Sequence, residues 1–435
     1  MSRMCRISPV DFISDSLRRK QQRLHFRRDL CKGRIEMNNP IARIDEELNR
    51  LKAASLYRSM KTLNSEQGTT VLLEKEEEGT VSDVPRLLLS SNSYLNMATE
   101  PRVKQAAADA ALKWGAGSGG SRLTTGNFGL HRQLEKALAK FKGREAALLF
   151  NTGYTANVGI ISALMDESSL IFSDEYNHAS IIDGCRLSRA KIIVYRHNDM
   201  ASLEEKLKAN PTEKGLIVSD AVFSMDGDIV NLPEMVALGR KYGCLTMIDE
   251  AHATGVIGSK GHGTEEYFID KGYKKEDVML DILMGTLSKA LGAEGGFAAA
   301  SQNIIDYLVN KARSFIFSTS QAPATLAAAL EALNIVEAEP QHVASLQHNV
   351  EVFCNALTEN GVPTKSETPI IPIVIGDEAK AMQVAAAVEE AGIMVPAIRY
   401  PTVAKGTARL RVALMADHTE EELTRAAKVI AEAMK

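Results

Sequence analysis

Leu245-Thr-Met-Ile-Asp-Glu-Ala-His252 is a short apolar run that stops abruptly at two carboxylates and a histidine. Bounded upstream by Gly243, the run reads as a buried strand. In an open α/β sheet the functional groups gather just beyond the carboxyl ends of parallel strands, so Asp249 and His252 stand where chemistry is expected. The pattern recurs in both directions along the chain. Ala146–Phe150, Leu170–Phe172, Lys191–Tyr195, Gly215–Ser219, Ile282–Gly285 and Gly296–Ala300 also read as strands. Helical periodicity over Leu130–Lys140, Leu203–Lys208 and Leu232–Tyr242 falls between several of them. This is the β-α-β rhythm of a largely parallel sheet covered on both faces, an α/β fold.

A long alanine-rich helix, Ala324–Ala338, leads into a last segment that mixes helices with strands. The helices are expected over His342–Glu359, Ala379–Ala391 and Glu420–Met434, and the strands over Ile370–Ile375 and Ala408–Ala413, as in a small α+β domain. Towards the start, Ile41–Leu51 has the apolar spacing of an amphipathic helical arm. Strand character returns at Thr69–Leu73 and Arg86–Leu89, and the acidic run Glu74–Glu78 between them reads as a solvated turn. The organisation expected is therefore a basic extension over residues 1–36, an arm with short strands over 37–90, a large domain over 91–335 and a small C-terminal domain over 336–435.

The chain has 435 residues, with 51 Lys+Arg against 55 Asp+Glu and 45% hydrophobic residues. That balance excludes a disordered chain and a nucleic-acid binder driven by bulk positive charge. A length well beyond about 250–300 residues calls for more than one domain. Apolar runs all fall short of the roughly 18 residues of a membrane-spanning helix, so no membrane association is expected. The five cysteines are scattered and include no C-x-x-C pair, which points to reduced thiols in the cytoplasm and against a zinc site. The first 36 residues differ from the rest, with ten basic residues against four acidic ones and no continuous apolar stretch. They read as a flexible tail, or as sequence ahead of a start at Met37, in preference to an organelle presequence.

Two further strand ends matter. Ile282-Leu-Met-Gly285 runs into Thr286-Leu-Ser-Lys289, and Ala147-Leu-Leu-Phe150 runs into Asn151-Thr-Gly-Tyr154 and then a helix. Each is weak alone, because a carboxylate after a strand is often a helix cap and a lone lysine is usually a surface charge. Together, an aspartate at one strand end and a lysine at another, forty residues later, are what pyridoxal 5′-phosphate chemistry needs. The amine takes up the cofactor aldehyde, and the carboxylate keeps the pyridine nitrogen protonated. A phosphate then needs backbone amides at a helix N-terminus, which Gly153 and Tyr154 offer.

Six blocks carry a resemblance. They are Gly117-Ser-Gly-Gly-Ser-Arg-Leu-Thr-Thr-Gly126, Tyr176-Asn-His-Ala-Ser180, Val222-Phe-Ser-Met-Asp-Gly-Asp228, Asp249-Glu-Ala-His-Ala-Thr-Gly255, Thr286-Leu-Ser-Lys289 and Gly406-Thr-Ala-Arg-Leu-Arg411. In that order and spacing the chain resembles the α-oxoamine synthases among the fold-type I pyridoxal phosphate enzymes, from about Met37 to Lys435. The resemblance implies a homodimer with its site at the interface and a large mostly parallel-sheet domain followed by a smaller α+β domain. It implies Lys289 as the covalent lysine and proton-transfer group, Asp249 at the ring nitrogen, His252 at the ring oxygen and His178 on the ring face. Gly153, Tyr154 and Thr286 would hold the phosphate, Ser224 would lie near the ring oxygen, and Thr319 would reach the partner subunit's phosphate. For the amino-acid carboxylate, a planar bidentate cation favours arginine, with Arg411 the first choice and Arg399 the reserve. Asn92 matches an active-site position near the substrate, and Arg58 an arm residue facing the acyl substrate.

The implied reaction joins an amino acid to an acyl thioester of coenzyme A or acyl-carrier protein, with loss of the thiol and of CO2. The C-terminal stretch Val395–His418 favours the members that use L-alanine and a pimeloyl thioester, with glycine and an acetyl thioester as the alternative. Tyr400 and Glu250 depart from the usual pattern, the latter standing where many such synthases have aspartate. A catalytically silent regulatory subunit is disfavoured because Lys289, Asp249, His252 and His178 are all present. An aminotransferase on the same fold predicts amino-group transfer without thiol release.

Overall fold

The computed structural model describes residues 41–53, 56–77 and 79–435, so the basic extension over 1–36 lies outside the described residues. The chain divides into two compact units, Met1–Thr62 and Leu63–Lys435. In the first, a helix runs over Ala42–Ala53 as the arm periodicity predicts, and Ile41, Ile44 and Leu48 are exposed.

The second unit opens with a hairpin, β1 (Thr70–Glu77) and β2 (Thr80–Leu88), paired antiparallel from Thr70↔Leu87 to Glu77↔Thr80. Over Glu74–Glu77 the acidic run is therefore strand and not loop. Glu74, Lys75 and Glu76 are strand residues with exposed side chains, paired with Asp83, Ser82 and Val81. Strand pairing is made by the backbone, and a ribbon with a wet face holds charged side chains without penalty.

The central sheet has seven strands. They are β3 (Ala146–Phe150), β4 (Leu170–Asp174), β5 (Lys191–Tyr195), β6 (Gly215–Asp220), β7 (Cys244–Asp249), β8 (Ile282–Thr286) and β9 (Gly296–Ala300). Their spatial order is β3-β9-β8-β7-β6-β4-β5. Only β9 runs against its neighbours; the remaining strands are parallel. Because both faces are covered, β6, β8 and β9 are buried along their whole length, which explains their unbroken small and apolar sequences. Alternation along each strand divides the side chains between two cores. Leu148, Leu216, Val218, Met247 and Met284 pack on one face, and Leu149, Ile217, Ile248, Leu283 and Phe297 on the other.

The long helix, Pro323–Ala338, starts with a proline at its first turn, where a missing N–H costs nothing. Beyond it, β10 (Ile370–Gly376), β12 (Ala397–Ile398) and β13 (Ala408–Ala413) form an antiparallel sheet in the order β10-β13-β12. The short β11 (Ile393–Met394) joins β2 in parallel, Ile393↔Leu87 and Met394↔Leu88. The N-terminal hairpin thus extends into the C-terminal segment, and the Ala413 N–H donates to Leu89 O at 2.9 Å. This junction carries Asn92 and Arg411 to the same place. None of the helices in the described residues is long and apolar enough to cross a membrane.

One charged pair in the core fixes the turn after β7. Lys142 Nζ lies 2.6 Å from Glu250 Oε2 and 2.7 Å from His262 O, with both side chains essentially inaccessible to water. The other Glu250 oxygen accepts the Thr264 N–H at 2.7 Å. The extra methylene of Glu250 over aspartate is accommodated in this arrangement. Replacing Glu250 by Gln leaves the Lys142 charge buried without its counter-ion. We expect Glu250→Gln to lower the unfolding free energy by about 3–5 kcal/mol in urea titration; a loss below about 1 kcal/mol would contradict the pairing.

Candidate active site

Five strand ends converge. Gly153 follows β3, His178 follows β4, Ser224 follows β6, Asp249 ends β7, and Lys289 follows β8. All five line one cavity of about 240 Å³, together with Tyr154, Asp220, His252 and Thr286. A larger hollow of about 760 Å³ opens at the other ends of β6–β8, around Gly215, Cys244 and Asp281, and brings no comparable set of reactive groups together. Among the described residues no cluster of His, Cys, Asp and Glu is suited to a metal ion.

The helix Gly153–Leu164 forms one wall. Its N-cap Thr152 accepts the Thr155 N–H at 3.1 Å. The Ala156 N–H donates to Thr152 O at 3.0 Å. The first amides, Gly153 and Tyr154, have no partner within the helix and are placed to take an anion. This turn lies tight against β9. A Cβ on Gly296 would come within 2.6 Å of Thr152 O and 2.8 Å of Gly153 N, so only glycine fits there. Beside it, the Thr286 hydroxyl donates to Gly295 O at 2.8 Å and lies 2.8 Å from the Ser288 hydroxyl.

One turn into the same helix, buried Asn157 donates to Asp249 Oδ2 at 2.6 Å and to the Ser180 hydroxyl at 2.8 Å. Asp249 Oδ1 accepts the Ala251 N–H at 2.8 Å. The carboxylate is thus buried but held on both oxygens. His178, the N-cap of the helix Ala179–Ser188, donates its backbone N–H to Asp220 Oδ2 at 2.7 Å and places Nδ1 2.7 Å from the Ser180 hydroxyl. Burial lowers the His178 pKa, which leaves a flat neutral ring.

Lys289 Nζ stands 2.8 Å from His252 Nε2, and His252 Nδ1 lies 2.6 Å from the Tyr94 hydroxyl. Tyr94 is also 3.2 Å from Asn92 Oδ1, which accepts from Arg411 Nη2 at 3.2 Å. The result is one hydrogen-bonded chain from the lysine amine to the guanidinium. Burial, reinforced by the Lys289 charge, pushes His252 well below its usual pKa. Burial likewise lowers Lys289 to about 8, against the opposing pull of Asp249 and Asp220. The Tyr94 hydroxyl is pushed up to about 12 by burial. Asp220, paired in register with Asp249, is raised well above the carboxylate range by burial and by its charged neighbour.

Of the two arginines in Gly406–Arg411, Arg409 is paired with Asp226. Arg411 is buried, donates to Ser224 O and Asn92, and has no carboxylate within ion-pair distance among the described residues. A buried guanidinium left without a counter-ion is prepared for an anion. Arg399 is elsewhere, next to Met382 Sδ. Thr319 is exposed, bridges to Ser121, and accepts from Asn151 Nδ2 at 2.6 Å through its carbonyl; it does not line the cavity of its own chain. Arg58 belongs to the first unit and is exposed there.

A class I and II aminotransferase family model matches residues 85–430. The chain belongs to that family. It is 50% identical over 366 residues to an 8-amino-7-oxononanoate synthase from Lysinibacillus sphaericus, covering 82% of this chain and 92% of the relative. A synthase of the same name from Geobacter sulfurreducens is 47% identical over 390 residues, 88% of this chain and 96% of the relative. Among solved structures, a serine palmitoyltransferase from S. paucimobilis with bound PLP–myriocin superposes with a TM-score of 0.82 at 28% identity, covering 91% of this chain and 98% of that one. An 8-amino-7-oxononanoate synthase from Francisella tularensis matches with a TM-score of 0.68 at 29% identity, covering 80% of this chain and 97% of that one.

Sequence reading missed Asp220, Asn157 and Tyr94. Asp220 ends the apolar run of β6 just as Asp249 ends that of β7, so the same signal was present. Asn157 is a single amide among apolar neighbours in Gly153–Leu164. Tyr94 carries no local mark. The lowered basicity of Lys289 is open to measurement. In the cofactor-free protein, competitive amine labelling read by mass spectrometry should give Lys289 half-maximal reactivity near pH 8; titration near 10.5, the ordinary lysine value, would contradict the buried setting.

Proposed function

We infer that the chain catalyses the pyridoxal phosphate-dependent condensation of L-alanine with a pimeloyl thioester, releasing the thiol and CO2 and giving 8-amino-7-oxononanoate for biotin biosynthesis. The observation that carries this reading is the buried, counter-ion-free Arg411 joined by hydrogen bonds to Lys289, in a chain whose curated relatives are synthases of that name. Pyridoxal phosphate, when bound, supplies an aldehyde that captures a primary amine and a ring that withdraws electrons from the amino acid's α-carbon.

The residues present fit that group. Asp249, held by one donor on each oxygen and with acceptor capacity left over, is a fixed negative charge that would hold a proton at the ring nitrogen. His178 presents a flat face to the ring, and the Ser224 and His252 side chains lie towards its oxygen. The Gly153 and Tyr154 amides and the Thr286 hydroxyl take the phosphate. Arg411 binds the substrate carboxylate bidentately, with Asn92 steadying the guanidinium. The Lys289 amine, a weak base through burial, takes the α-proton and returns one after the new carbon–carbon bond has formed. Both charge-stabilising groups are in place before the carbanion develops, so they act on the transition state without reorganisation.

Two copies assemble with the site at their interface, and the enzyme works in the cytoplasm. Exposed Leu123 and Phe317, each two residues from the Ser121–Thr319 bridge, support the first statement. In that dimer Thr319 reaches the partner's phosphate and Arg58 faces the acyl substrate, while Arg399 is the reserve for the carboxylate role given to Arg411. The large domain over 91–335 holds the cofactor and the small one over 336–435 supplies Arg411.

The test is a substrate matrix on purified protein, with alanine, glycine and serine against pimeloyl, acetyl and palmitoyl thioesters, following free thiol. Alanine with the pimeloyl thioester should be the fastest pair. Glycine with the acetyl thioester as the fastest pair would overturn the biotin assignment, and amino-group transfer without thiol release would point to an aminotransferase.

A further inference from the structure

His197 follows β5 and does not line the cavity. Its ring stands between two carboxylates, with Nδ1 3.1 Å from Asp174 Oδ1 and Nε2 3.0 Å from Asp228 Oδ2. Ionised carboxylate oxygens only accept, so both ring nitrogens carry hydrogen and the group is an imidazolium. Burial opposes that charge, but the two carboxylates prevail and raise its pKa to about 10. One ring face stacks on Tyr176, with centroids 4.4 Å apart and planes 19° apart, and Phe223 meets it at 4.3 Å and 85°.

The next residue extends the same tie. Asn198, at φ 50°, donates its backbone N–H to Asp174 Oδ2 at 2.7 Å and its side-chain amide to Ile229 O at 2.9 Å. Asp174 also accepts the Tyr176 N–H at 2.8 Å, and the His197 N–H donates to Glu175 Oε1 at 2.9 Å. One cation therefore joins the turn after β4, the turn after β5 and the loop after β6. The first of these turns presents His178, two residues beyond Tyr176. The last presents Ser224, the neighbour of Phe223, whose carbonyl accepts from Arg411.

We propose that His197 is a positioning residue: clamped between Asp174 and Asp228, it fixes the distance between the His178 turn and the Ser224 turn, and so the width of the slot that receives the cofactor ring. This rests on the reading that pyridoxal phosphate occupies the cavity. A general loosening of the fold and a specific effect through His178 differ in a double-mutant cycle, because only the second is non-additive.

The experiment is a titration of cofactor-free protein with pyridoxal phosphate, read by visible absorbance, for wild type, His197→Gln, His178→Ala and the pair. We expect His197→Gln to raise Kd about tenfold in the wild-type background and less than about twofold once His178 is already alanine. Wild-type affinity in His197→Gln, or losses that multiply in the double variant, would overturn the proposal. Thermal unfolding of each variant establishes that it is folded at the assay temperature. Should His197→Gln not be folded, Asp228→Asn takes its place in the same cycle, with the same expected non-additivity. Failure of the wild-type protein to bind pyridoxal phosphate would instead overturn the functional reading, so the two failures are told apart.

Discussion

A carboxylate buried at the end of a parallel strand, facing a lysine amine across a small cavity, is the constraint to which the other features answer. Taking such charges out of water costs several kcal/mol each unless every oxygen and proton has a partner. Asp249 meets that requirement through the Asn157 amide and the Ala251 N–H. Asn157 is brought there by a helix that has to start at Gly153, and the turn into that helix fits only because Gly296 has no side chain. The unpaired amides of Gly153 and Tyr154 and the donor to Asp249 are therefore one turn apart on the same rigid element.

The lysine side of the cavity is organised differently. Lys289, His252, Tyr94, Asn92 and Arg411 form a hydrogen-bonded chain that begins in the central sheet and ends on β13. It is made possible by the hairpin strand β2, which pairs with β11 and delivers the segment carrying Asn92 and Tyr94 next to β13. A charge state at one end of such a chain is felt at the other, because buried hydrogen bonds polarise one another. The Glu250–Lys142 pair and the His197 clamp hold the loops on either side of it.

Much of this was legible in the sequence. All seven strands of the central sheet were marked by apolar runs, and the helices of the last segment by their periodicity, because buried strands and amphipathic helices must carry those patterns. The acidic stretch over Glu74–Glu78 misled, since a strand with a wet face needs no apolar residues and backbone pairing leaves no mark in composition. At the site, Asp249, His252 and Lys289 stood out as polar residues just after apolar strands, and His178 came only from the resemblance of its block. Asp220 carried the same mark and Tyr94 carried none. Arg411 was the first choice over Arg399 for the carboxylate; the structure places Arg411 buried beside Asn92, with its neighbour on β13, Arg409, paired to Asp226, and Arg399 next to Met382 Sδ.

On the function proposed above, Asp249 is the fixed negative charge that keeps the cofactor's heterocycle cationic beside a weakly basic amine. Nitrogen-15 NMR of the protein loaded with ring-labelled pyridoxal phosphate reads that protonation state. A pyridinium resonance that persists at neutral pH and disappears in Asp249→Ala is the expected result. An unprotonated pyridine resonance in the native protein would contradict it.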